Sequence, residues 1–253
     1  MPSKSTWQGG TSCAVQMELV SRVYGRGGGA VTALREVSVT IPYGSFTAVM
    51  GPSGSGKSTF LQCAAGLDQP TSGRVVLGGK DLSGMNENEL TRLRRERVGF
   101  VFQAFNLVPS LTVAQNMTLP LRLAGARADR AWLSEVIDRV GLADRIRHRP
   151  AQLSGGQQQR AAIARALVTR PDVIFADEPT GALDMRTARE ILGLLRQTAT
   201  EVHQTIVMVT HDPIAASHAD TVVFLADGQI AATIPATSPD GIAERMMRLE
   251  ACR

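Results

Sequence analysis

The stretch GPSGSGKST at positions 51–59 has the residue types and spacing to hold a phosphate group. Gly51, Gly56, Lys57 and Ser58 fit the pattern G-x-x-x-x-G-K-[ST], with Pro52, Ser53, Gly54, Ser55 and Thr59 completing the loop. Glycines there let successive backbone N–H groups converge on one anion, and a helix starting at the loop adds its positive end. Lys57 would reach the outer phosphates as a compact cation, a role the broader guanidinium of arginine cannot take. Ser58 would offer a hydroxyl to Mg2+. A second cluster, VIFADEP at 173–179, is an apolar run ending in two carboxylates, Asp177 and Glu178. Downstream of a phosphate loop, Asp177 reads as the acid that holds Mg2+ with Ser58, and Glu178 as the general base for an attacking water. A solvated strand end, or caps for the next turn, would give the same two residues.

A third stretch, LSGGQQQRAAIARAL at 153–167, opens a strong helical pattern with two glycines. Ser154 and Gln157 have capping-box spacing, which explains those two residues. It does not explain Gly155 and Gly156, where alanine would favour the helix by about 0.5–1 kcal/mol each. Glycine at both positions implies a close approach to the backbone.

The elements that must position these groups alternate between strand and helix. Residues 15–49 read as short strands with turns at 25–29 and 42–44. A helix follows the phosphate loop, then a strand at RVVLGG. Residues 87–143 read as mostly helical, with Trp132, Val136, Ile137 and Val140 at helical spacing. Buried strands (DVIFAD, TIVMVT, TVVFLA) and helices then return, ending in a helix over GIAERMMRLEA. Continuous apolar strands alternating with helices imply an α/β fold with a parallel sheet covered on both faces.

The 253 residues suffice for a large core, and 43% hydrophobic and 20% charged residues are ordinary for a folded chain. No apolar run approaches the ~18–20 residues that cross a bilayer. The first residues lack an apolar leader and read as a polar tail over 1–14. A net charge of +4 is too small to argue for nucleic acid. The 27 basic residues are 24 arginines and three lysines, Lys4, Lys57 and Lys80, so a lysine in the phosphate loop carries extra weight. Three cysteines, Cys13, Cys63 and Cys252, show no metal spacing and read as reduced thiols, with Cys63 a small core residue.

Taken in order, these motifs resemble those of ABC transporter ATP-binding subunits. LSGGQ at 153–157 is that family's signature. A glutamine loop at Gln103 (FVFQAFNLVPSLT), a D-loop ending at Asp184 (GALD) and a switch histidine at His211 (VMVTHD) fall in the family's order. Finer matches, VGFVFQAFNLVPSLTVAQN and DEPTGALD among them, resemble the macrolide-exporter and lipoprotein-release branch.

The resemblance implies a P-loop NTPase core with a mixed, largely parallel sheet. It adds an N-terminal antiparallel β subdomain, a helical subdomain over about 104–150 and a C-terminal helix over 236–253. Tyr24 would stack on adenine, or else simply pack under the first strand. Gln103 would help hold Mg2+ and link the site to the helical insert. His211 would position Glu178 and its water near the γ-phosphate, and Asp184 would act across a dimer contact. Glycine at 181, where many relatives carry serine, leaves no side-chain role there.

Ser154, Gly155, Gly156 and Gln157 would meet the γ-phosphate of ATP bound to a second copy, giving a homodimer across two ATP. The expected cofactors are ATP and Mg2+. The expected partner is a membrane permease docked on the helical subdomain, at the cytoplasmic face of a bacterial plasma membrane, exporting antibiotics, peptides or lipid-linked cargo. The alternative is a mechanotransmitting ATPase of a cell-division-type complex that moves no cargo. Arg92, Arg94, Arg95 and Arg97 would pair with acidic groups or lipid headgroups, or form a solvated helix face.

Overall fold

The computed structural model describes residues 13–25 and 27–251. Most of the expected tail, with Lys4, lies outside the described residues, as does Cys252 at the end of the expected C-terminal helix; Cys13 and Ala14 already belong to the first strand, β1 (Cys13–Tyr24). That strand pairs antiparallel with β2 (Val31–Pro42) and β4 (Ser72–Leu77), and a two-residue β5 (Lys80–Asp81) completes a sheet ordered β2-β1-β4-β5. This is the expected antiparallel subdomain.

The second sheet carries the chemistry. Its order is β10 (Gln229–Pro235), β9 (Thr221–Ala226), β3 (Phe46–Met50), β8 (Thr205–Val209), β7 (Val173–Asp177) and β6 (Val98–Phe102). Only the β10–β9 pair is antiparallel; the four pairings from β9 to β6 are parallel. Apolar residues on both sides of each strand explain why they read as continuous runs. Ile174, Ala176, Ile206 and Met208 face a core shared with α3 (Val113–Leu123), α4 (Arg130–Val140), α5 (Gly155–Leu167) and α6 (Met185–Glu201). Val173, Phe175, Val207 and Val209 face the opposite core with α1 (Lys57–Ala64), α2 (Glu87–Arg97) and the antiparallel sheet.

Two features depart from the expected elements. The stretch read as mostly helical contains β6, whose five residues follow an arginine-rich helix without a turn signal. Gly99 lets α5 pack hard on it, since a Cβ there would lie 2.8 Å from Ala166 O. Between β8 and β9 sits a four-residue helix, α7 (Pro213–Ala216), and α8 (Pro239–Ala251) closes the described chain. Val136 and Val140 are fully buried with Trp132 and Ile137 packed beside them, as the spacing predicts.

Candidate active site

Strand register brings the site together. Val49 of β3 sits level with Val209 of β8, Val209 with Asp177 of β7, and Asp177 with Phe102 of β6. The residues that follow these strand ends, namely the phosphate loop, Thr210–His211, Glu178 and Gln103, therefore line one edge. Ligand crevices of open parallel sheets lie at such carboxyl ends.

The phosphate loop needs its glycines. A Cβ on Gly51 would lie 2.1 Å from Leu225 O, and one on Gly56, at φ +99°, would lie 2.3 Å from Ala33 O. Gly228 N donates to Ser55 O at 3.1 Å, pinning the loop to the β9–β10 turn. Helices α2 to α6 are each capped by a side chain, from Asn86, Thr112, Asp129, Ser154 and Asp184. Helix α1 begins at Gly56 with no side-chain cap. Its first N–H groups therefore take no side-chain oxygen, an arrangement suited to an anion. Lys57 Nζ donates to Gly51 O and Pro52 O, both at 2.8 Å, so the ammonium is held at the loop's mouth. Burial pushes its pKa down, opposed by the charges of Glu178 and Asp177.

Asp177 is pushed up by burial and by its neighbour Glu178, with Lys57 opposing. Neither the Asp177 carboxylate nor the Ser58 hydroxyl makes a hydrogen bond among the described residues. Nor do three or more His, Cys, Asp or Glu among them form a metal-holding group. That donor set fits Mg2+, which takes one or two protein oxygens and completes its shell with phosphate and water.

Glu178 has φ +45°, uncommon for a residue with a side chain. The turn brings its carboxylate back over β8: Oε1 accepts from His211 N at 3.0 Å and lies 2.7 Å from His211 Nδ1, while Oε2 accepts from Thr210 Oγ1 at 3.1 Å. His211 is 73% exposed and Glu178 20%. Thr210, fully buried, is a site residue the motif reading missed, although a hydroxyl beside His211 at a strand end was visible in VMVTHD. Gln103 lies against Gly181: a Cβ there would meet Gln103 Nε2 at 2.8 Å, so glycine at 181 gives the amide its space.

The adenine candidate stands apart on the antiparallel sheet. Tyr24 pairs with Val31 at the start of β2, two residues before Ala33, whose carbonyl abuts Gly56. Arg22 lies over the ring at 4.6 Å from its centre, and Tyr24 Oη donates to Asp68 at 2.7 Å. The ring is 38% exposed. It is thus a held ring, not one packed under the strand.

At 153–157 the capping box is present: Ser154 Oγ accepts from Gln157 N at 3.3 Å, and Gln157 Oε1 accepts from Ser154 N at 3.0 Å. No hydrogen bond among the described residues joins this end of α5 to the phosphate loop, Glu178 or His211.

A family model described as ABC transporter matches residues 34–181. The chain is 43% identical over 238 residues to the macrolide export ATP-binding/permease protein MacB of Marinobacter nauticus, covering 90% of this chain and 37% of that protein. It is 46% identical over 220 residues to MacB 1/2 of Paracoccus denitrificans, covering 86% and 33%. The chain belongs to the ABC transporter family. It spans about a third of the length of these curated relatives. Among solved structures it resembles the dimeric post-hydrolysis state of the ATP-binding cassette MJ0796 bound to ADP and Pi, at 40% identity and TM-score 0.78, covering 88% of this chain and 99% of that one. It also resembles cbiO1 from Clostridium perfringens, part of the ABC transporter complex cbiONQ, at 28% identity and TM-score 0.80, covering 93% of each.

Within this ABC ATPase, two residues expected to face a second copy also have partners inside the chain. The close approach at Gly156 has a source inside the chain, because a Cβ there would lie 2.4 Å from Thr187 Cγ2 on α6. Thr187 cannot easily move, since its Oγ1 donates to Asp184 Oδ2 at 2.6 Å. Gly155 is less crowded, with Leu183 Cδ2 at 3.2 Å. Asp184, expected to act between subunits, caps α6 by accepting from Arg186 N and Thr187 N; the Thr187 hydroxyl bond first, and then these N–H bonds, hold its pKa down.

Proposed function

We propose that this cassette hydrolyses ATP as half of an ATP-bridged homodimer and powers a membrane permease, most simply an exporter of antibiotics, peptides or lipid-linked cargo. One observation carries the reading. The chain holds a hydrolytic set at one sheet edge and a second phosphate-type helix end, at Ser154, that its own site does not use. A second copy supplies the missing half for each. The N–H groups of the phosphate loop and Lys57 bind the triphosphate, with Tyr24 beside the base. Ser58 and Asp177, with Gln103, would hold Mg2+, which withdraws charge from the phosphates. Glu178 takes a proton from the attacking water while Thr210 and His211 fix its carboxylate.

The relatives named as ATP-binding/permease proteins support coupling to a permease. No helix among the described residues is long and apolar enough to cross a membrane. A groove of about 500 Å³ between α2, β6 and α3 is the proposed dock, and a permease bound there would hold the protein at the cytoplasmic membrane face. It lies where the helical subdomain borders the core, not on that subdomain alone. Two measurements test the reading. ATP turnover should rise more steeply than linearly with protein concentration, and a permease should co-purify from membranes. Turnover strictly linear in concentration would remove the dimer from the proposal.

A further inference from the structure

Helix α5 presents Ser154 at its N-terminus, yet two of its later side chains lead back into the chain's own site. Gln159 is fully buried. Its Nε2 donates to Pro179 O at 2.6 Å and to Phe102 O at 3.3 Å. Pro179 directly follows Glu178, and Phe102 directly precedes Gln103. Arg165, a little under two turns further on, donates to Phe105 O at 3.0 Å and also to Asn106 O. Phe105 and Asn106 are consecutive non-glycine residues at φ +60° and +51°, a conformation that persists only where its surroundings hold it. The chain is thus gripped on both sides of Gln103 from one helix, and the first grip also holds the segment after Glu178.

Stability does not account for the glutamine. Gln159 Oε1 is buried with no hydrogen-bond partner among the described residues. An apolar side chain of equal length would remove that unpaired oxygen. It would deprive Pro179 O of this donor, while Phe102 O would keep its bond from Phe105 N at 3.2 Å. One unsatisfied atom is exchanged for another, so the fold gains little from the amide.

We propose that Gln159 is a positioning residue that passes displacements of α5 to Glu178 and Gln103 of the same chain, with Arg165 holding the far side of the Gln103 loop. The dimer reading supplies the displacement: a partner's nucleotide meets the α5 N-terminus, and Gln159 carries the consequence into the neighbouring site. The positioning itself does not depend on that reading.

Gln159→Met keeps the length and removes the donor. In the full chain without nucleotide, amide hydrogen exchange should rise ~10-fold at residues 103–106 and 178–181, while Tm stays within about 4 °C of the parent. With ATP and Mg2+, kcat should fall ~10–100-fold at unchanged KM. A residue serving only the fold would lower Tm, binding and turnover together. Should Gln159→Met fail to fold, Arg165→Lys keeps the charge but cannot hold both carbonyls, and the same split is expected. Unchanged exchange at these segments in a folded variant overturns the proposal, as does a parental kcat. A parent chain that turned over no ATP would count against the proposed function, while exchange would still decide this one.

Discussion

At the scale of single residues, the site depends on where two carboxylates are allowed to point. Asp177 stays in line with β7 and its carboxylate makes no hydrogen bond among the described residues, whereas the left-handed turn at Glu178 folds the next carboxylate onto Thr210 and His211. Glu178→Gln keeps an acceptor for Thr210 and removes the base. The variant should bind ATP normally, accumulate as a dimer in size-exclusion chromatography with ATP, and turn over ~10²–10⁴-fold more slowly. Turnover at the parental rate would remove Glu178 from the role of base. Cys63 offers a prediction independent of nucleotide. Burial pushes its thiol up to about 12, while an unfolded thiol titrates near 8.5. The unfolded chain therefore loses this proton first, so the contribution to stability is intact below about pH 8.5 and is lost as pH climbs toward 12. Urea midpoints should fall between pH 8 and pH 10.5, and iodoacetamide at pH 8 should leave Cys63 unmodified in the folded protein.

At the scale of elements, helix ends divide into those closed by the chain and those left for something else. The uncapped start of α1 and the capped but solvent-facing start of α5 are the two that matter, and their glycines act differently. Gly51 and Gly56 are required by the backbone of β9 and β2. Gly156 is required by Thr187, whereas a Cβ on Gly155 would meet only the tip of Leu183, at 3.2 Å, a tight contact that a small shift of that side chain relieves. Gly156→Ala should therefore cost about 1–3 kcal/mol of stability by overpacking, measured by urea unfolding. Gly155→Ala should cost little and still impair ATP-dependent dimerisation. Ser154→Ala should cost ~1 kcal/mol as a lost cap and leave nucleotide binding to the monomer intact. If Gly155→Ala and Ser154→Ala both dimerise normally with ATP, the α5 N-terminus serves only the fold. These distinctions explain what the sequence could and could not convey. The phosphate loop, the acid pair and the capping box are local, each written within nine residues or fewer. Strand β6 was hidden because five apolar residues after RLRRER look the same as a helix end. Gln159 and the packing of Gly156 are tertiary: only the approach of α5 to β6, β7 and α6 gives those residue types their meaning.

At the scale of the whole molecule, the remaining question is where force leaves the cassette. The groove between α2, β6 and α3 places Leu67, Phe100, Phe102, Pro120 and Leu123 beside Arg94, Arg95 and Arg165. Most of the basic groups nearby are already engaged: Arg92 with Glu96, Arg94 with Glu87, Arg97 with Asp172, Arg165 with the Gln103 loop. Of the four arginines in α2, Arg95 alone makes no hydrogen bond or ion pair among the described residues, so the solvated-face account holds for less of this cluster than its charge suggests. Leu123 is 65% exposed at the last turn of α3, in a helix whose other face is buried. An apolar rim with one free cation suits an amphipathic helix bearing a carboxylate. Leu123→Asp and Arg95→Glu both lie outside the hydrolytic set. Each should change stability by no more than about 0.5 kcal/mol, as for other surface substitutions, and leave the ATP turnover of the isolated cassette at the parental level. Each should weaken capture of the permease from membranes by ~10-fold, and a charge reversal on the permease helix should restore binding to Arg95→Glu alone. Parental capture by both variants would move the dock away from this groove, while a loss of turnover in the isolated protein would show that the groove communicates with the site even without a permease.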